Sequence, residues 1–351
     1  MGKSIRCPRA PLLQFQHPFN LKYYKLIPIP GDWERFYLYS SKIRQLHGLG
    51  WDASKTYPGT QAAHLLCNAE RYIDHPPFPL LRSVCWDPTL EKPGFTIRAE
   101  NEETAAALSL LQPSLRDLAF FFSHDAIEYH SMTEFFWHIS LQCPSLRQLS
   151  LTSVFQDDTL SRCLAKMISC ARHLEVVHLD TLSWPKELSY ALSRLPYLRV
   201  LHITHAYRGK PYMRENEGPA VPFSETDDYG TDAEPFPRLE DITACWYMYR
   251  TMPTTLQLRS LKKFKIFDGT GSPMDFSTTF VRCKNILETI EIGRIDSLSR
   301  LDVVSLPMFC NLQKFNIQTE YFYLNDSDIE QLVQKMPQLQ ELVPPTGVFR
   351  P

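Results

Sequence analysis

The sequence has little glycine, no long hydrophobic run and no large excess of either charge. Its 13 glycines leave few positions for a phosphate-binding loop, and none of the patterns HExxH, GxSxG, GxGxxG or Walker A occurs. No apolar stretch approaches the roughly 20 residues that a membrane helix needs. A formal net charge of −2 disfavours nucleic-acid binding, which usually requires a basic face. These absences predict a protein that is not an enzyme and binds no cofactor, nucleic acid or membrane.

The cysteines show no pattern typical of a disulfide framework. The nine cysteines include no C-x-x-C pair and their number is odd. This usage favours free thiols and a cytoplasmic or nuclear location over a secreted disulfide scaffold.

A short repeat is the main positive feature. An anchor leucine or isoleucine is followed by apolar residues at the fourth and usually the sixth position, as in Leu146-x-x-Leu149-x-Leu151. The anchors of the eleven copies lie 22 to 41 residues apart, against 20–29 for leucine-rich repeats. The anchors are Ile43, Leu81, Leu115, Leu146, Leu174, Leu198, Leu239, Leu261, Leu287, Leu312 and Leu339.

Two periodicities within each repeat predict a strand and then a helix. Alternating side chains on a strand would point the fourth and sixth positions inward together. Helical stripes occur between anchors, as at Leu188–Leu195 and at Ile329, Leu332, Val333 and Met336, with Asn325 as the expected N-cap. Proline two residues before many anchors ends each helix. The prediction is an α/β leucine-rich-repeat solenoid, a ribonuclease-inhibitor-like horseshoe with parallel strands on its concave face and helices on its convex face.

The expected domain organisation is a single solenoid over residues 31–345. Residues 1–30 contain five prolines and no repeat, which is typical of an irregular arm or cap, and residues 346–351 form a short tail. Residues 206–237 are acidic and rich in proline and glycine, which indicates a loop insertion. This loop could carry phosphate acceptors at Ser224, Thr226 and Thr231, or it could be a tolerated insertion on the rim.

Solenoids commonly bind partners on the concave strand face, where the variable motif positions project. There His178 and His202 should lie side by side on consecutive strands, about 5 Å apart. The set could form a partner-binding patch or could be the polar covering that any solvated face requires. The candidate partner-binding residues are Phe121, Gln148, Ser150, His178, Asp180, His202, Thr204, Lys263 and Lys265.

Three metal hypotheses are weaker than their structural alternatives. His178 and His202 lack a third and fourth ligand, and His124, Asp125 and His130 fit solvated polar residues. Four cysteines lie two to four residues before an anchor, where a small buried side chain would close the helix against the strand. They are Cys143, Cys170, Cys283 and Cys310. No catalytic, cofactor or metal residue is therefore predicted.

Two segments resemble a known family. Ile27–Leu46, with its Asp-Trp-Glu-Arg-Phe core, and Leu324–Leu342 are similar to parts of the repeat region of basidiomycete fungal F-box proteins. The resemblance covers roughly residues 27–345. It implies the substrate-binding half of a receptor in an SCF-type ubiquitin ligase, in which an F-box binds a Skp-type adaptor.

The F-box itself has no counterpart here, because the roughly thirty residues before Trp33 are too few to form one. A Skp-type adaptor is therefore expected only if an F-box is encoded upstream of Met1. The sequence predicts a non-catalytic module that binds a protein of unknown identity. The alternative is a stand-alone repeat scaffold or decoy that is unconnected to ubiquitin ligation.

Overall fold

The structure is a computed structural model. In it the chain forms two compact units, Met1–Ser153 and Val154–Pro351. The predicted arm up to residue 29, residues 206–234 of the predicted insertion and residues 344–347 and 350–351 lie outside the described residues. The structure describes residues 30–46, 76–86, 108–121, 129–155, 158–181, 185–204, 235–245, 258–267, 280, 282–298, 304, 306–322, 325–343 and 348–349.

Among its described residues the first unit has four parallel strands in sequence order. Its elements are α1 (Pro30–Ser40), β1 (Gln45–Leu46), β2 (Ser83–Trp86), β3 (Asp117–Phe121), α2 (Tyr129–Gln142) and β4 (Gln148–Phe155). Strands β1 to β4 pair with their sequence neighbours, and the register aligns the fourth motif positions Leu46, Val84, Leu118 and Leu149. The motif therefore sets the strand register directly, since a slip by one residue would expose the apolar face.

The second unit follows the same plan over seven neighbouring parallel strands, β5 to β11. The fourth motif positions pair in one line from Val177 on β5 to Leu342 on β11, and β12 pairs with β10. Its elements are α3 (Asp158–Cys170), β5 (Val176–Thr181), α4 (Lys186–Ser193), β6 (Val200–Thr204), β7 (Asp241–Cys245), β8 (Lys263–Phe267), β9 (Thr289–Leu298), β10 (Lys314–Phe322), α5 (Asp326–Gln334), β11 (Glu341–Val343) and β12 (Val348–Phe349). The α/β class and the parallel strands predicted from the repeat are confirmed.

The core of each unit is built from the anchor, fourth and sixth motif positions. Leu201 and Ile203 on β6 are both 0% exposed, and Leu118 and Phe120 on β3 are similarly buried. In the first unit Phe120 packs on Phe135 of α2, with ring centroids 4.8 Å apart. This contact places the helix on the face that the fourth and sixth positions define.

A turn before each strand explains the prolines. In many repeats the anchor N–H donates to the carbonyl three residues earlier, as from Leu146 to Cys143 and from Leu339 to Met336. Proline two residues before the anchor occupies the second position of this turn, where its fixed φ fits. Helices α2, α4 and α5 end before Pro144, Pro196 and Pro337, as predicted.

The prediction that four cysteines close the core is wrong for two of them. Cys143 and Cys283 are buried, whereas Cys170 and Cys310 are exposed. The buried turn position usually lies three residues before the anchor, where Ala171 and Phe309 stand in the repeats of the exposed cysteines. Cys283 lies one residue earlier but is still buried, because its turn is one residue longer and its carbonyl accepts from the anchor Leu287.

The last helix and strand show a second departure. Asn325 caps α5, as predicted, and it also forms a two-way capping box with Asp328, with hydrogen bonds of 3.0 and 3.1 Å. Val333, predicted to face the core, is 45% exposed, because the buried residues of α5 are Asp328 and Leu332, with Met336 buried just after the helix ends. Leu342 on β11 is 38% exposed, since among the described strands β11 pairs only with β10.

Among the helices of the described segments, none is both long and apolar enough to cross a membrane.

Candidate protein-binding face

The candidate site is the sheet face of the second unit that the third, fifth and seventh motif positions form. It carries six of the nine predicted residues: His178 and Asp180 on β5, His202 and Thr204 on β6, and Lys263 and Lys265 on β8. All six are half-buried or exposed, because their neighbours on each strand take the inward positions.

The other three predicted residues belong to the first unit. Gln148 and Ser150 are half-buried on β4, at the same motif positions. Phe121 ends β3, and its side chain lies outside the described residues, as do those of His124, Asp125 and His130.

The two histidines form a stacked pair. His178 and His202 are direct partners in the β5–β6 register, and their rings lie 4.5 Å apart at an interplanar angle of 8°. Asp241 on β7 approaches this pair, with its Oδ1 atom 3.3 Å from Nε2 of His202. Burial lowers the pKa of His178, the neighbouring His202 lowers it further, and Asp241 partly offsets both effects.

This arrangement bears on two kinds of function, chemistry and recognition. A histidine beside an aspartate can serve as a general base only if it also reaches a nucleophile or a substrate proton. Within the described segments no group of three or more His, Cys, Asp or Glu residues is placed to hold a metal ion. The pair does offer two flat rings and a carboxylate to the solvent side of the sheet.

Further along the face, lysines and glutamates alternate across four strands. Nζ of Lys265 lies 2.9 Å from Glu291, and Nζ of Lys314 lies 3.1 Å from Glu291 and 3.2 Å from Glu341. Burial pushes the pKa of Glu291 upward, but hydrogen bonds from both lysines outweigh it and the net pKa is lowered. Lys265 is thus a member of an ion-pair network and not an isolated charge.

Beside this network the face has a hollow of about 280 Å³ between β8, β9 and β10. Oδ1 of Asn316 is buried there and finds no hydrogen-bond donor among the described residues. The hollow is lined by Lys265, Ile266, Phe267, Glu291, Ile292, Gly293, Asn316 and Gln318.

Sequence reasoning missed several residues of this face. Asp241, Glu291, Lys314 and Asn316 stand at the third or fifth positions of their motifs, as His178 and Lys263 do. Applying the same rule to every copy of the motif would have identified them. Their pairing could not be found this way, because it depends on which side chains of neighbouring strands reach each other.

The residue directly after each anchor forms what we name the leading row of each unit. In both units the carbonyl of a leading-row residue accepts hydrogen bonds from two successive N–H groups of the next repeat, as Arg82 does from Arg116 and Asp117. The leading row of the first unit is Arg44, Arg82, Arg116 and Arg147. That of the second unit is Glu175, Arg199, Glu240, Lys262, Glu288, Gln313 and Gln340.

In the second unit the leading-row charges neutralise one another. Arg199 donates two hydrogen bonds of 3.0 and 3.2 Å to the carboxylate of Glu240, and Nζ of Lys262 donates a third of 3.2 Å. The hydrogen bonds from Arg199 are the main reason that the pKa of Glu240 is lowered. Leading-row side chains of adjacent repeats therefore lie within ion-pair distance.

The chain matches no protein-family model, and no curated protein matches it significantly. Among solved structures it is similar to a chain of the Rad7 and Elc1 complex from yeast, with 13% identity. That match covers 88% of this chain and 87% of the other, with a TM-score of 0.39. These values are too low to transfer a fold or a function.

Proposed function

We propose that this chain is a non-catalytic protein-recognition module, a leucine-rich-repeat solenoid that binds its partner through the exposed strand face of the second unit. The observation that carries the proposal is the contrast between the two sides of each strand. One side is closed by apolar residues, and the other presents stacked histidines, an ion-pair network and a hollow within reach of solvent. Parallel strands in register turn these side chains into one continuous surface for a macromolecule.

The polar pairs on this face favour specificity over raw affinity. An ion pair that bridges neighbouring strands holds its charges at defined positions, so a partner with misplaced charges is rejected. This feature suits selection of one protein surface among many.

A comparison of variants on the two sides of the second unit tests the proposal. The full chain is used to isolate interacting proteins, and each purified partner is then measured against His178→Ala/His202→Ala and against Lys265→Ala. The matched control is Arg162→Ala/Glu187→Ala, which removes an exposed ion pair of 3.3 Å between α3 and α4. We expect the face variants to weaken binding about tenfold or more, as the loss of central interface contacts does, while the control leaves it unchanged.

Retention of every partner by the face variants, together with loss in the control, would refute this placement of the site. An enzymatic turnover that disappears on His178→Ala/His202→Ala in folded protein would refute the non-catalytic assignment.

The resemblance to F-box repeat regions supports a more specific proposal, that the bound protein is a substrate of an SCF-type ubiquitin ligase. Co-purification of the native gene product with a Skp-type adaptor and a cullin tests this link. Recovery of both supports it. Their absence from a preparation that still holds other partners favours the stand-alone scaffold or decoy.

A further inference from the structure

The arginine leading row of the first unit is a second surface, distinct from the strand face proposed above. Arg44, Arg82, Arg116 and Arg147 follow the anchors of four successive repeats, and all four are exposed. The same backbone hydrogen bonds repeat from each of them to the next. Adjacent parallel strands are about 4.8 Å apart, so the row spans roughly 14 Å.

The charge of this row differs from that of the neighbouring row of third motif positions. The four leading-row positions carry four positive charges, while the neighbouring third positions, Gln45, Ser83, Asp117 and Gln148, carry one negative charge. The two rows together therefore hold a net charge of +3, in a chain whose formal net charge is −2. Like charges this close together repel one another, and a ligand of opposite charge reduces that repulsion.

The repeat geometry indicates what that opposite charge belongs to. Guanidinium groups bind carboxylates in bidentate fashion, as Arg199 binds Glu240 at the same motif position in the second unit. A row of about 14 Å matches about four or five residues of an extended chain at 3.3 Å per residue. The half-buried amides of Gln45 and Gln148 lie alongside on the strands, where they can reach peptide groups.

We propose that the arginine leading row binds an extended acidic segment of a partner protein, of about five residues rich in aspartate or glutamate. Carboxylates would take the place that Glu240 holds between Arg199 and Lys262 in the second unit. The low overall charge of the chain favours a protein segment over a nucleic acid, whose binding draws on a wider basic surface.

The test uses the full chain and a fluorescent dodecapeptide of glutamate at low salt. The variant Arg82→Ala/Arg116→Ala removes two charges from the arginine row. Its matched control, Arg199→Ala/Lys262→Ala, removes two charges from the same motif position of the second unit. We expect the first variant to bind the peptide about tenfold more weakly, because each lost pair is charge-assisted, and the control to stay within about twofold.

Two further measurements keep the test decisive whatever the folding of the variants. Binding of the wild-type chain to the glutamate peptide should be lost at high salt, since exposed charges are screened over about 3 Å at 1 M. A glutamine dodecapeptide should not bind at all. Equal losses in the variant and the control, or no binding of the glutamate peptide, would overturn the proposal. So would tighter binding of a thymidine dodecanucleotide, which would assign the row to nucleic acid. None of these outcomes bears on the strand face of the second unit.

Discussion

The two units follow one backbone plan but use its leading row in opposite ways. In the first unit the row consists of four arginines, and in the second, glutamates alternate with Arg199 and Lys262 before two glutamines end the row. The backbone hydrogen bonds that hold the row are the same in both. The same motif position thus carries charges of alternating sign in the second unit and charges of one sign in the first. The difference is chemical and not architectural.

The largest expected effect tests whether the two units really share a plan. Leu118→Ala in the first unit and Leu201→Ala in the second remove side chains at the same motif position, 2% and 0% exposed. Each should lower the free energy of unfolding by about 2–5 kcal/mol through lost burial and a cavity. Thermal and denaturant unfolding measure both.

The control is His202→Ala, the next residue along β6, which faces outward and should cost far less. Similar losses for Leu201→Ala and His202→Ala would mean that the strand register is wrong.

A smaller effect is expected when the second unit is made to resemble the first. Glu240→Arg would place three cations in succession with Arg199 and Lys262, so the free energy of unfolding should fall by about 1 kcal/mol, the scale of an exposed ion pair. The same variant should bind the glutamate dodecapeptide more tightly than wild type, because a second basic row has been created. Fluorescence anisotropy and chemical denaturation report the two changes.

Glu240→Gln separates the causes, since it removes the ion pairs without adding a cation. It should destabilise the chain by less than about 1 kcal/mol and leave peptide binding unchanged. A gain in binding with Glu240→Gln as large as that with Glu240→Arg would contradict the charge argument.

The smallest effect concerns pH and the histidine pair. The pKa of His178 in the folded chain is lowered below its ordinary 6.5, so below that pH the unfolded chain binds a proton that the folded chain resists. The contribution of this group to stability is therefore complete above pH 6.5 and declines as the pH falls toward the lowered pKa. His178→Gln should flatten the dependence of the melting temperature on pH between about 7 and 5.

The matched variant His138→Gln alters a histidine on α2 of the first unit that lies 3.7 Å from Glu134 and has no stacked histidine partner among the described residues. It should leave the slope between pH 7 and 5 steeper than His178→Gln does. An unchanged slope in His178→Gln would show that stacking and burial do not govern this titration.

Much of the fold could be predicted because the repeat encodes it locally. The spacing of Leu198, Leu201 and Ile203 specifies a strand with one buried face, and the same spacing in the next repeats aligns those strands in register. The side-by-side placement of His178 and His202 followed from that register. The Asn325 cap was predictable for the same reason, since capping depends on residues three apart in sequence.

The wrong predictions of burial concern residues for which sequence spacing alone did not give the local geometry. Cys170 and Cys310 were expected to be buried because they lie near an anchor. In each of these repeats the turn buries the adjacent residue instead, Ala171 or Phe309. Val333 was expected on the buried stripe, whereas α5 is rotated so that the capping residue Asp328 faces inward. A short helix can meet its neighbours at several rotations, and apolar periodicity alone does not choose among them.

The sequence by itself determined the α/β repeat, the parallel register and which side of each strand is apolar, because these depend on spacing along the chain. Only the tertiary structure decided which outward side chains meet. The approach of Asp241 to the histidine pair, the Lys265–Glu291–Lys314 network and the two hydrogen bonds from Arg199 to Glu240 join residues of different repeats. Their distances are set by strand spacing and rotamers. The physical reason is that alternation assigns a face to each residue, but only the packed sheet assigns it a neighbour.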